Sequence, residues 1–118
     1  MAYDEALAAR IRDHIGPDPE LIEKKMFGGL AFFIRGHMAI TASGQGGVLV
    51  RVPPETADDL LVTTRAAVAV MGGREMPGWL RVNAEDLATS DDLSPWVEMA
   101  IAHARSLPPK QPRRKPGR

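Results

Sequence analysis

Few side chains of this sequence stand at spacings that could carry a reaction. His14, His37 and His103 are far apart, and none has a carboxylate at helical spacing arranged as a metal site. Zinc and iron usually need three convergent ligands, so no metal is expected. His37 on a strand and His103 on a helix can meet in space, but no spacing requires it. The serines at 43, 90, 94 and 106 lie outside any Gly-x-Ser-x-Gly elbow. Cysteine is absent, which excludes disulfides, zinc-thiolate centres and thiol nucleophiles. The paired acids Asp58-Asp59 and Asp91-Asp92 fall where helices begin, and capping and the helix dipole account for them. A nucleotide or methyl-donor site wants a glycine-rich loop between a strand and a helix. Gly44-Gln45-Gly46-Gly47 instead joins two strands, and Gly28-Gly29 falls within one. No catalytic residue and no cofactor is expected.

Binding is the better prospect. Lys24 and Lys25 adjoin Gly28-Gly29. Alternation along a strand sends the two lysines to opposite faces, so an anion clamp made by both is awkward. The pair is either a solvated edge beside structural glycines, or part of a contact surface near Lys25, Gly28 and Gly29. Trp79 stands two residues before Arg81. With Arg51, this pair either presents a flat amphipathic face to a partner or belongs, like Trp96, to a half-buried core. An enzyme reading would gather Lys25, His37 and Arg51 or Arg81 about the central strands. The C-terminal residues Lys110, Arg113, Arg114, Lys115 and Arg118 can attract nucleic-acid phosphate without sequence preference. No aromatic accompanies them for base stacking, and a solubilising terminus is an equal reading.

The elements that would hold these residues follow from periodicity. Tyr3, Leu7, Ile11 and Ile15 recur every four residues, an amphipathic helix ended by Gly16-Pro17. Leu21 to Ile34 reads as one strand bent at Gly28-Gly29, and its Leu30–Ile34 part is apolar on both faces, as in a central strand. Arg35-Gly36 is a hairpin turn signal, returning through His37 to Ala42 with Met38, Ile40 and Ala42 inward. Val48, Val50 and Val52 alternate as a third strand, with Arg51 opposite. A short helix follows from Pro53-Pro54-Glu55 to about Leu61. Ala67–Met71 is a fourth strand, turned by Gly72-Gly73, and Trp79–Val82 a fifth after a Met76-Pro77-Gly78 corner. Ser90 or Ser94 caps a last helix with Leu93, Val97, Ala100, Ile101, Ala104 and Leu107 as its stripe, ended by Pro108-Pro109. The expected fold is α+β, a five-stranded antiparallel sheet in the order α-β-β-β-α-β-β-α.

Length and charge fit one domain, residues 1–107, with a disordered basic tail, 108–118. The net charge of zero conceals an asymmetry. Without the tail's five cations, ten remain against fifteen acids, so the body carries −5. An acidic body is a poor binder of a nucleic-acid backbone. The N-terminus lacks the pattern of a signal peptide. The longest apolar run, Ala66–Met71, is far shorter than the roughly 20 residues of a membrane span. The expected location is the cytoplasm, with no membrane partner.

Lys24-Lys25-Met26-Phe27-Gly28-Gly29 followed by an apolar strand resembles the signature of the TfoX N-terminal domain family. These are small bacterial proteins named after a regulator of natural competence. The likeness spans about residues 3 to 107, resting on Lys24–Ile40, then Arg74–Val82, then Ala104–Pro108. It implies a secretion-chaperone-like α+β fold, often dimeric. Larger members have a helical C-terminal domain, in whose place this sequence has only its eleven-residue basic tail. Some close relatives carry the label RNA methyltransferase, which the glycine placement does not support. The expected function is a non-catalytic regulatory or protein-interaction domain, linked to transcriptional regulation of competence, as a homodimer or with transcription machinery. Accessory nucleic-acid binding by the tail and an unidentified small-molecule enzyme or binder are the alternatives.

Overall fold

The computed structural model describes residues 4–26, 28–71 and 73–107. Tyr3, Phe27, Gly72 and the tail 108–118, each part of an expectation above, lie outside the described residues.

Helix α1 (Glu5–Ile15) opens the fold. Asp4 caps it by accepting from the backbone N–H of Ala6 and Leu7, at 2.9 and 3.1 Å, and Gly16 at φ 75° ends it. Strands β1 (Leu21–Met26), β2 (Gly29–Ile34), β3 (His37–Ala42) and β4 (Val48–Arg51) follow as a meander. Helix α2 (Pro54–Thr63), strands β5 (Ala67–Met71) and β6 (Arg74–Val82), a short 3₁₀ turn (Ala84–Leu87) and helix α3 (Ser90–Ser106) complete the chain.

The α+β class holds, but among the described residues the sheet has six strands, in the order β1-β2-β3-β4-β6-β5, all antiparallel. The expected five missed a hairpin at Gly28-Gly29. Met26 pairs with Gly29, and Gly28 at φ 76° reverses the chain, so one bent strand is in fact two. Gly29 and Gly44 lie against backbone. A Cβ on Gly29 would sit 2.4 Å from the carbonyl oxygen of Ala42, and one on Gly44 would sit 2.5 Å from that of Gly28. The hairpin tip and the loop leaving β3 thus touch main chain to main chain. The Arg35-Gly36 turn forms as expected, both residues at positive φ.

Two further differences bear on the site. Register shifts by one residue between Phe32 and Phe33, so Phe32 faces Ile40 while Phe33 faces Met38. The bulge brings Ala39 into the core and turns Met38 to the opposite face, contrary to simple alternation. Strand β6 starts five residues early, because the Met76-Pro77-Gly78 corner lies inside it and β5 pairs across a second irregularity at Val68/Ala69.

The core fills the space between one sheet face and the helices. Phe32, Ile34, Ile40, Val48, Val50, Leu80 and Val82 meet Leu7, Ile11, Leu93, Val97 and Ala100 there, with Trp96 buried among them. Helix α3 lies across β2, β3 and β4, α1 packs on α3, and α2 packs on β6. The cap of α3 is Thr89, not a serine. Its hydroxyl accepts from Asp92 N–H at 3.1 Å while the Asp92 carboxylate accepts from Thr89 N–H at 3.4 Å, a capping box. Ion pairs tie α1 to β1, Arg12 to Glu23 at 2.5 Å, and fasten the α1–β1 loop to its surroundings, Glu20 to Arg35 of the β2–β3 turn at 3.5 Å, and both Asp18 and Glu20 to Arg105 of α3. The Arg12 guanidinium holds the Glu23 carboxyl below its usual range, partly offset by burial. The Arg12–Glu23, Arg35–Glu20 and Arg105–Glu20 pairs are partly exposed and contribute about 0.5 kcal/mol each, whereas the Asp18 carboxylate facing Arg105 is buried.

Candidate functional site

The face of the sheet away from the helices carries its own row of side chains. Strand pairing aligns Lys24, Ala31, Thr41, Leu49, Arg81 and Ala67 across all six strands. Both edges of the sheet contribute to one concavity there, Met26 from β1 and Val70 from β5, so the sheet curves around it. The cavity measures about 470 Å³. Met26, Met38, Leu49, Val70, Met76 and Trp79 supply its apolar walls, and Thr41, Ser43, Gln45 and Arg81 its polar groups.

The polar groups are locally organised. Arg81 donates through Nη1 to Ser43 Oγ at 3.2 Å, and Gln45 N–H donates to the same oxygen at 3.1 Å. Ser43 is itself fixed by its own N–H to Gly47 O at 2.9 Å and by its carbonyl accepting from Gly46 N–H at 3.0 Å. Thr41 donates to Met38 Sδ at 3.2 Å. Beyond Trp79, the Arg51 guanidinium lies over the indole, 5.5 Å from the ring centre.

Of the residues singled out from sequence, Gly29, Trp79 and Arg81 line the cavity, and Arg51 adjoins it through Trp79. Lys24, Lys25 and Gly28 are exposed and do not line it. The lysines stand on the edge strand β1, paired with Ala31 and Leu30, and Lys24 Nζ lies 5.7 Å from the centre of the Phe33 ring. Lys25 and His37 do not line the cavity with Arg81, whereas the other cation of that grouping, Arg51, and His37 both act electrostatically on His103.

The two histidines that could meet do come near each other. Burial holds His103 below its ordinary value, helped by the charges of Arg51 and His37 and opposed by Glu55. Among the described residues no group of three or more His, Asp or Glu could hold a metal ion. Nor is any helix among them long and apolar enough to cross a membrane. The tail cations lie outside the described residues.

Sequence reasoning missed Met26, Met38, Leu49, Thr41, Ser43 and Met76. A signal was present in part: Leu49 and Arg51 alternate with the core valines of β4, as Trp79 and Arg81 alternate with Leu80 and Val82 of β6. Two strands therefore present a mixed apolar and cationic second face.

Fold and site define a small α+β domain with one sheet face packed under helices and the other open as an apolar cavity. The chain belongs to the TfoX N-terminal domain family, whose pattern it matches over residues 13–104. No curated protein matches it.

Proposed function

We propose that this domain is a non-catalytic binding module with a regulatory role, acting by taking an apolar guest into the cavity on its open sheet face. The observation that carries this reading is the composition of that cavity. Three methionines, a leucine and a tryptophan line about 470 Å³, with one guanidinium among them. Unbranched thioether side chains adapt to guests of different shape, and methionine is over-used on surfaces that bind several partners. Pockets of this size and polarity are typical of small-molecule recognition. The ionisable residues of a general acid–base pair do not converge there, which favours holding a guest over converting it. Family membership extends the proposal to its specific form, regulation of transcription for competence in the cytoplasm.

The test uses the uncharged dye Nile red, whose emission reports an apolar environment. Saturable binding of one dye per chain, with blue-shifted emission, is expected. Met76→Glu, which places a charge at a half-buried wall position, weakens it at least tenfold while the circular dichroism spectrum is unchanged. A folded wild-type protein without saturable binding contradicts the reading.

A further inference from the structure

Arg81 is the cation of the cavity, and no carboxylate of the described residues pairs with it. Its bond runs to the hydroxyl of Ser43, a buried residue. Ser43 Oγ accepts from two donors, Arg81 Nη1 and Gln45 N. That fills both lone pairs of a hydroxyl oxygen and leaves its own hydrogen free to donate. A guanidinium carries five N–H donors in a rigid fork, most of them still open here. The forked donors of Arg81 and the O–H of Ser43 thus stand together beside walls of Leu49, Met38 and Trp79. A charge beside an apolar wall is costly unless paired, and the natural pair for a planar fork is a carboxylate.

We propose that the cavity binds a small carboxylic acid with an apolar body, of the fatty-acid kind, its carboxylate held by Arg81 and Ser43 and its body against the methionines. This rests on the reading of the cavity as a binding site. One guanidinium balances one negative charge, so a phosphate dianion would bring a second charge into apolar surroundings with nothing to meet it. A peptide C-terminus would bring amide groups as well. The strand backbones on this face are paired within the sheet, and Thr41 spends its hydrogen on Met38. With Arg81 and Ser43 taken by the carboxylate, the exposed Gln45 carboxamide is left to meet those amides, too few partners for a peptide. A fatty acid has no such groups.

Decanoate and decanol, titrated into the full chain and followed by tryptophan emission and calorimetry, separate the two parts of the claim. Trp79 is in the wall, whereas Trp96 is in the core on the other side of the sheet. Decanoate saturates one site and binds at least tenfold tighter than decanol. Arg81→Met abolishes the preference, so that decanoate binds no tighter than decanol to the same variant, and Ser43→Ala weakens decanoate severalfold. Equal binding of the two by wild-type protein overturns the carboxylate assignment while leaving the cavity as an apolar site. Absence of binding by both, in protein that still takes up Nile red, overturns the fatty-acid class alone; absence of all three removes the binding reading as well. An apolar tripeptide binding tighter than decanoate overturns the proposal in favour of a peptide terminus. If Arg81→Met does not fold, the wild-type ratio and Ser43→Ala decide the matter.

Discussion

Single residues settle what the paired glycines are for. Gly28 has a positive φ and open space around it, whereas Gly29 is pressed against the backbone of Ala42 and Gly44. Alanine at 28 meets only the left-handed penalty, and Gly28→Ala is expected to cost about 1 kcal/mol. Alanine at 29 must displace main chain, and Gly29→Ala is expected to cost about 3 kcal/mol. Urea denaturation measures both, and the reverse order would mean that the hairpin tip does not pack as described. A doublet of glycines in sequence signals a special backbone but not which kind, because a bulge and a hairpin tip need the same freedom. Arg81 was legible as a candidate. Its partner Ser43 was not, because the hydrogen bond joins residues 38 positions apart.

At the scale of elements, the parts that could be read were those with a clean period. Val48 and Val50 on β4, Val52 just after it, and Leu93, Val97, Ala100 and Ala104 on α3, fall in the core as their spacing implies. The parts that failed were governed by register. One extra residue opposite Phe32/Phe33 sends Met38 to the cavity and Ala39 to the core, and no local pattern announces it. The cap of α3 was missed for a related reason. Thr89, Ser90 and Ser94 are all good caps by type, and only Thr89 has the backbone conformation and the Asp92 partner at the third position. Thr89→Ala is therefore expected to destabilise the domain by about 1 kcal/mol. Ser90→Ala and Ser94→Ala should each stay within about 0.5 kcal/mol. Thermal melts of the three variants check this, and a Ser90 effect larger than that of Thr89 would refute the capping box.

For the molecule as a whole, the decisive feature is that the sheet has two different faces. Helix α3 lies on the apolar face of β2, β3 and β4 with α1 packed against it, and α2 covers β6. The second face draws the two edge strands to a common cavity. Composition gives a total of apolar residues and cannot say that three methionines gather away from the main core, since Met26, Met38 and Met76 come from three separate strands. That gathering is the basis of the functional reading, and the methionine methyl groups report on it directly. With methyl-labelled methionine, decanol is titrated while the methyl resonances are followed by NMR. The account predicts that Met26, Met38 and Met76 shift together and saturate at one guest per chain, while Met99, packed against the core, does not move. Resonances that stay fixed at saturating decanol, or a Met99 shift as large as the other three, would contradict a binding cavity on the open face of the sheet.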